Sequence, residues 1–241
     1  MSDCKRICLW SGPRNVSTAL MYAFDQRSDT TCVDEPLYGH YLQVSGAVHP
    51  GGDEVMAAMD CDGDRVVREV VLGDCQTPVL FCKMMAHHLL ALDQHFLERT
   101  VNVILTRDPV DVLPSLQVQV PNPGLADTGY AEQVRLLQGF NELPVVDSRE
   151  LLLHPESVMR QLCQQLGLDY EEGMLEWPAG PKGCDGVWAP HWYHNVHKST
   201  RFQTYRPKTE PFPEHLKPLL EQCQPLYQTL FDAAIKGDAR E

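Results

Sequence analysis

Two hydrophobic patterns alternate along this chain. Short runs that are apolar at successive positions predict buried strands, as in parallel sheets covered by helices on both faces. Such runs predict strands at 7–10, 31–33, 79–82, 101–105 and 144–146. Longer stretches with apolar residues at helical spacing predict helices at 16–26, 53–59, 86–96, 110–117, 130–140, 155–166 and 214–234. Pro225 stands inside the last of these, and it predicts a break there because proline removes a helical hydrogen bond.

The alternation of strands and helices predicts the α/β fold class, with one domain over 1–241 and a central parallel sheet of about five strands flanked by helices. Ligands of such sheets bind at the carboxyl ends of the strands. Four polar segments follow predicted strand ends: 11–18, 34–35, Lys83 and 106–108. We therefore expect them to meet at one edge of the sheet.

Three segments lack a helical or strand period. The stretches 43–52 and 119–129 are rich in Gly, Pro and polar residues, which predicts loops that could cover a site. The stretch 176–212 is longer, aperiodic, and rich in aromatic residues and histidine. Long aperiodic segments inside a domain are usually functional or disordered. The aromatic residues of this one favour an ordered loop that folds over a site.

Charge narrows the possible partners. The chain has 241 residues and a formal net charge of −13, which argues against non-specific binding to nucleic acid or to an anionic membrane. An anion site would have to be local, in a cleft. Nine scattered cysteines without a CxxC pair, no secretory signal and no apolar run of transmembrane length predict a cytoplasmic protein. The sequence does not specify an oligomeric state.

The segment 11–18, Ser-Gly-Pro-Arg-Asn-Val-Ser-Thr, joins the first strand to the first helix. The first turn of a helix has free backbone N–H groups and a favourable dipole for anions. Arg14 adds a guanidinium that can bind two oxyanion oxygens together. The loop therefore predicts a phosphate or sulfate site. The alternative is an ordinary turn in which Ser17 or Thr18 caps the helix.

A second segment, 101–116, carries a strand that ends in Arg107-Asp108-Pro109 and a helix that carries Ser115. At the strand tip, Arg107 would lie beside the anion loop, and Ser115 could offer a hydroxyl to the same anion. The alternative is a surface arginine and a solvated serine.

Together these segments resemble the P-loop sulfotransferase family, which uses 3′-phosphoadenosine 5′-phosphosulfate (PAPS) as sulfuryl donor and releases 3′-phosphoadenosine 5′-phosphate (PAP). The resemblance covers most of 5–170 and implies a P-loop NTPase-like fold with no required metal. A third family element, Lys-Gly-x-x-Gly-x-Trp, is matched at 182–188 without its usual Arg and Asp. The donor-binding residues that the resemblance implies are Arg14, Asn15, Val16, Ser17, Thr18, Arg107, Ser115, Lys182 and Gly183.

Three departures from the family loop matter. Arg14 replaces the usual lysine, and an arginine does not donate its proton to a leaving group. Val16 replaces a glycine, so the backbone there must avoid positive φ. Ala19 replaces the tryptophan that stacks near adenine, so adenine must be packed by other residues.

The resemblance implies in-line transfer of a sulfuryl group to a hydroxyl or amine of a small-molecule acceptor. Glu35, after the second strand, is the expected base, although it or Asp34 could instead cap a helix. Lys83 follows the third strand and matches a family lysine that assists the leaving group. Met85 occupies the family's histidine position, so His87 is a second candidate base or, alternatively, a packed histidine.

The acceptor is expected to be neutral or cationic, because the chain is acidic. Its predicted contacts are Tyr38, His88, Trp188, His191, Trp192 and Tyr193.

Other functions stay open at this point. A P-loop kinase or NTPase is one, although the loop lacks Gly-Lys-Ser/Thr and no acidic residue ends the fourth strand. A metal site is another, since His191, His194 and His197 recur at every third position near Cys184. The third is a nucleotide-binding module that kept the anion loop and lost the chemistry.

Overall fold

The computed structural model describes residues 4–238 and has an all-parallel sheet of five strands in the order β2-β3-β1-β4-β5. In the register, Trp10 of the central strand lies between Met84 and Ile104. The strands are β1 (Lys5–Ser11), β2 (Thr30–Asp34), β3 (Val79–Met85), β4 (Val101–Thr106) and β5 (Val145–Asp147). This confirms the predicted fold class and all five predicted strands.

Helices cover both faces of the sheet. Their bounds are α1 (Ser17–Asp25), α2 (Tyr38–Ser45), α3 (Gly52–Ala58), α4 (Gly63–Val66), α5 (Pro109–Leu116), α6 (Tyr130–Gly139), α7 (Ser148–Leu153), α8 (Pro155–Gln165), α9 (Ala189–Trp192) and α10 (Lys217–Asp232).

The central strand shows why its sequence is apolar at successive positions. Ile7 and Leu9 pack into a core with α1 and α8, whereas Cys8 and Trp10 pack into the opposite core with α5, α6 and α10. All four side chains are fully buried. Burying one large apolar side chain contributes about 1.5–3 kcal/mol. A strand covered on both faces therefore needs apolar residues at every position.

Several local predictions were wrong. The segment 86–96 forms two short 3₁₀ turns, Ala86–Leu89 and His95–Arg99, instead of one helix. Between them Ala91 has a φ of 49°, which a right-handed helix does not allow. Helix α2 extends into the predicted loop 43–52. Helices α2, α4, α7 and α9 were not predicted, and α4 continues into a π-helical turn at Val67–Val71.

Helix α10 runs through Pro225 without the predicted break. An interior proline costs about 3 kcal/mol. The buried side chains of Leu219, Cys223, Tyr227 and Leu230 anchor the helix on the core and offset that cost.

The segment 176–212 is ordered but irregular, with α9 and one 3₁₀ turn as its helical parts. Trp177 and Phe202 pack edge to face at 5.2 Å, which joins the start of the segment to position 202. Within residues 4–238, no helix combines the length and the apolar character needed to cross a membrane.

Candidate active site

The carboxyl ends of the strands open into a cleft of about 700 Å³. It receives the segments that follow β1, β2, β3 and β4, as expected for ligands of a parallel sheet. Most of the predicted site residues line it: Arg14, Asn15, Val16, Ser17, Thr18, Glu35, Tyr38, Lys83, His87, His88, Arg107, Ser115, Trp188, Trp192 and Tyr193. The tertiary structure therefore brings these residues into one site.

The loop after β1 is shaped by close backbone contacts. A Cβ at Gly12 would lie 2.8 Å from the carbonyl oxygen of Thr128, so only glycine fits there. Arg14 has a φ of 57°, a conformation that non-glycine residues rarely adopt. Val16 has a φ of −95°, as the loss of the family glycine requires. Such local strain persists where the surrounding structure enforces it, often at functional sites.

Asn15 ties this loop to the sheet and to the helix. Its Oδ1 accepts a hydrogen bond from the N–H of Ser17 at 3.0 Å, and its Nδ2 donates to the carbonyl of Leu105 at 3.2 Å. The first bond satisfies an N–H of the first helical turn, and the second fixes the loop to β4. The role foreseen for Ser17 as a side-chain cap does not occur.

Two arginines meet beside the loop. Nη1 of Arg107 donates to the backbone oxygen of Arg14 at 3.2 Å, and Nε of Arg14 donates to Oγ of Ser115 at 2.9 Å. Burial, with the nearby charge of Arg107, lowers the pKa of Arg14. Asp111 lies 3.5 Å from Arg107. Among residues 4–238, Arg14 has no acidic partner, so this end of the cleft favours an anion.

Part of the stretch 176–212 adds to this positive end through residues that the sequence analysis did not name as contacts. Gln203, Thr204, Tyr205 and Arg206 line the cleft. Lys208 donates to the carbonyl of Asp111 on α5 at 2.8 Å. Burial lowers the pKa of Lys208, and the charges of Arg107 and Arg14 act in the same direction. The available signal was the grouping of three cations at 201, 206 and 208 in a strongly acidic chain.

Lys83 lies at the opposite side of the cleft and is 2% exposed. Its Nζ donates to Oδ1 of Asp34 at 2.7 Å, to Oε1 of Glu35 at 2.6 Å and to the hydroxyl of Tyr193 at 2.5 Å. These three bonds use all three hydrogens of the ammonium group. Lys83 therefore orients the carboxylates here and has no hydrogen left for a leaving group, contrary to the role inferred from the resemblance.

Tyr193 also departs from its predicted role in the acceptor wall. Its hydroxyl donates to Oδ2 of Asp34 at 2.7 Å and accepts from Nε1 of Trp188 at 3.2 Å. The backbone N–H of Gly186 reaches the same carboxylate oxygen at 3.2 Å. The irregular segment is thereby bonded to the carboxyl-terminal parts of β2 and β3, and Tyr193 supports the polar network.

Glu35 has the features of a base. Its φ is 37°, and its side chain is 12% exposed at the cleft. Burial raises the pKa of Glu35, and the charge of Asp34 adds to this while Lys83 opposes it. The alternative capping role is not observed, because α2 begins at Tyr38 without a side-chain cap. A carboxylate with a raised pKa is better matched to proton abstraction.

The two histidines after β3 are neutral and packed. Burial lowers the pKa of His87 to about 3. Burial also lowers the pKa of His88, whose ring stacks on Tyr41 at 4.5 Å and on Tyr38 at 5.2 Å. An imidazole with so low a pKa is a weak base, so Glu35 is the stronger candidate.

Three predicted contacts are not brought into the cleft: Lys182, Gly183 and His191. The ammonium group of Lys182 donates to the carbonyls of Pro178 and Gly180. His191 lies 3.4 Å from Glu54 instead. The loop around Lys182 is fixed to α1, because the Asp185 carboxylate accepts hydrogen bonds from the Tyr22 hydroxyl and from the backbone N–H of Lys182.

The histidines of the alternative metal site do not converge. His197 bonds Asp185 at 2.9 Å, whereas His191 faces Glu54. In the described part of the chain, no three His, Cys, Asp or Glu side chains are grouped as metal ligands would be.

Known proteins share this architecture. The sulfotransferase domain from the curacin biosynthetic pathway superposes with a TM-score of 0.54 at 15% identity, covering 93% of this chain and 99% of that domain. A sulfotransferase from Alicyclobacillus acidocaldarius superposes with a TM-score of 0.57 at 12% identity, covering 97% of this chain and 98% of the other. The fold is therefore the P-loop NTPase-like fold of sulfotransferases.

Sequence comparison identifies more similar proteins and a family. Two proteins of Arabidopsis thaliana, branched-chain-amino-acid aminotransferase-like proteins 1 and 2, are each 38% identical to this chain. The matches cover 95% and 92% of the chain but 42% and 40% of those proteins, so the chain spans about two fifths of their length. A family model described as a sulfotransferase domain matches residues 5–234. The chain therefore belongs to the sulfotransferase domain family.

Proposed function

We propose that this protein transfers the sulfuryl group of PAPS to a hydroxyl or amine of a small-molecule acceptor. The observation that carries the proposal is the shared cleft of Arg14, Arg107 and Glu35, which come from three different strand ends. Two cationic groups stand at one end of this cleft and a candidate base at the other. A donor with two anionic ends, and an acceptor, would then lie between them.

The residues present fit the donor. Arg14 and the N–H groups at the start of α1 are suited to its 5′-phosphosulfate, because helix N-termini and guanidinium groups both favour anions. Arg107 and Ser115 are suited to its 3′-phosphate, with Arg206 and Lys208 close by. Tyr205 offers an aromatic ring on the cleft, where Ala19 has replaced the family tryptophan.

The proposed transfer is one in-line displacement. The acceptor oxygen or nitrogen forms a bond to sulfur while the bond from sulfur to the phosphate oxygen breaks and PAP leaves. Glu35 takes the acceptor's proton, and Lys83 with Asp34 holds the carboxylate in place. Arg14 stabilises the charge that develops on the leaving phosphate. Loss of one such donor typically lowers the rate by about 10²–10³.

Ligand binding tests the donor. We expect PAP to raise the melting temperature of the protein more than ADP with Mg²⁺ does. A ligand at a hundredfold excess over its Kd stabilises the folded state by about 2.7 kcal/mol. A larger shift with ADP and Mg²⁺ would favour the kinase or NTPase alternative instead.

Turnover tests the reaction. The protein is incubated with PAPS and a mixture of metabolites, and mass spectrometry searches for products heavier by one sulfuryl group. PAP binding without any transfer, with every acceptor tried, would favour the non-catalytic module. The cytoplasmic location stays a prediction that cell fractionation can check.

A further inference from the structure

A group of aromatic rings forms one wall of the cleft beside Glu35. The rings come from α2, from the loop between α2 and α3, from the turn after β3 and from the irregular segment 176–212. They pack face to face, tilted or edge to face at 4.5–5.9 Å. We call this wall the aromatic box, and its members are Tyr38, Tyr41, His49, His88, Trp188 and Trp192.

Three unsatisfied polar atoms lie at this wall or beside it. Nδ1 of His87, Nδ1 of His88 and Nε1 of Trp192 are buried and have no hydrogen-bond partner among the described residues. His88 as a whole is 2% exposed. Buried polar atoms are nearly always bonded, so an unsatisfied group in a native structure needs an explanation. Three such atoms on residues that line one cleft indicate that a polar ligand completes them.

The box carries no net positive charge. Burial lowers the pKa of His49, of His87 and of His88, so these imidazoles are neutral near pH 7. The charge of Lys83 is offset by its two carboxylate partners. Asp127 also lines the cleft and contributes a negative charge near His49. An anionic acceptor at the box would therefore meet negative charge.

Resting on the proposed function, we propose that the acceptor is a phenol without an anionic group, held with its ring against the aromatic box and its hydroxyl at Glu35. Aromatic rings prefer the offset-stacked and edge-to-face contacts that the box offers. The unsatisfied imidazole and indole nitrogens bind the polar substituents of the ring.

A phenol also suits the base. The phenolic oxygen forms the bond to sulfur, its proton passes to the carboxylate of Glu35, and the sulfur–oxygen bond to PAP breaks, which leaves an aryl sulfate. A phenol has a pKa of about 10, so a carboxylate removes its proton far more easily than that of an aliphatic alcohol.

Four matched probes test this specificity: 4-ethylphenol, tyramine, 4-hydroxyphenylacetate and 4-ethylcyclohexanol. We measure kcat/KM with PAPS and, by calorimetry, the affinity of each probe for the protein saturated with PAP. The two phenols without a carboxylate should bind and react. The anionic phenol should be at least about tenfold poorer, because like charges repel. The affinity for 4-ethylcyclohexanol should be lower than that for 4-ethylphenol by a factor of about three or more, because a saturated ring cannot stack on the aromatic box.

Two variants test whether the phenol binds at the aromatic box. Trp192→Ala removes one ring of the box, so it should weaken 4-ethylphenol binding while leaving PAP affinity unchanged. Glu54→Gln, on a side chain that faces His191 outside the cleft, is the matched control and should change neither. Equal or better activity with the anionic or the saturated probe would overturn the inference.

The two proposals can fail separately. If PAP binds but no phenol binds the PAP complex, only the acceptor inference is overturned. If PAP itself does not bind, the proposed function fails first and the acceptor inference falls with it.

Discussion

Nζ of Lys83 lies 2.6 Å from Oε1 of Glu35, with Lys83 buried beneath the cleft and the Glu35 side chain 12% exposed to it. The same ammonium group is bonded to Asp34 and Tyr193. Removing one partner of a buried ion pair typically lowers the free energy of unfolding by about 3–5 kcal/mol. Lys83 is therefore a positioning residue for Glu35 in this structure, and the predictions for the base depend on this contact.

The first prediction concerns the base itself. Glu35→Gln removes the proton acceptor and keeps the side-chain shape, so we expect kcat to fall by about 10²–10⁴. PAP affinity should change little, because the donor-binding arginines lie at the other end of the cleft. Steady-state kinetics and calorimetry measure the two effects, with Glu54→Gln as the control. Unchanged turnover in Glu35→Gln would remove Glu35 from the mechanism.

The second prediction concerns pH. Only the carboxylate form of Glu35 accepts a proton, and its pKa is raised from 4.5 by burial. We therefore expect kcat/KM to rise with pH along a limb that lies above pH 4.5. His87→Gln should leave this limb in place, because the pKa of His87 is lowered to about 3. Loss of the limb in His87→Gln would identify the histidine as the base.

A third prediction follows from the contact between Lys83 and Glu35. Lys83→Met removes the charge that holds down the pKa of Glu35, so the limb should move to higher pH. Stability should also fall, by about 3–5 kcal/mol, because two buried carboxylates lose their partner. The pH profile separates the positioning role from a merely structural one. A loss of stability with no movement of the limb would contradict the positioning role.

The fourth prediction assigns the 3′-phosphate. Arg107→Ala should weaken PAP binding by about ten- to a hundredfold, the range of one charged hydrogen bond. Adenosine 5′-phosphosulfate lacks that phosphate, so its affinity should be the same in wild type and Arg107→Ala. Calorimetry with both ligands measures this difference. Equal losses for the two ligands would mean that Arg107 acts on the 5′ side or on the loop, where it bonds Arg14.

The fifth prediction concerns the shape of the anion loop. Gly12→Ala places a Cβ 2.8 Å from a backbone oxygen of Thr128, so we expect a loss of about 1–3 kcal/mol in unfolding free energy. Gly139→Ala is the matched control, because no heavy atom lies within 4 Å of its added Cβ. There the change should be neutral or stabilising by up to about 1 kcal/mol. Urea denaturation compares the two. If Gly12→Ala and Gly139→Ala had equal unfolding free energies, the loop would be able to accept the added Cβ without loss of stability.

The predictions from sequence that are confirmed depend on patterns within a few neighbouring residues. All five strands are recognisable because most of their buried positions on the two faces of the sheet carry apolar residues. Local signals failed where distant contacts decide the conformation. The segment 86–96 has an apolar pattern, yet Ala91 adopts a positive φ that ends the helix. Lys182 matches a family motif, but bonds around Asp185 turn its side chain away from the cleft.

By itself, the sequence determined the strand order in the chain, the loop with Arg14 after the first strand, and the helix with Ser115 that follows Arg107. These features depend on neighbours within a few residues. Only the tertiary structure decided what Lys83 does, because its partners lie at positions 34, 35 and 193 and meet it through the packing of β2, β3 and the irregular segment. The net charge of a buried group depends on such distant partners, and a hydrophobic pattern carries no information about them.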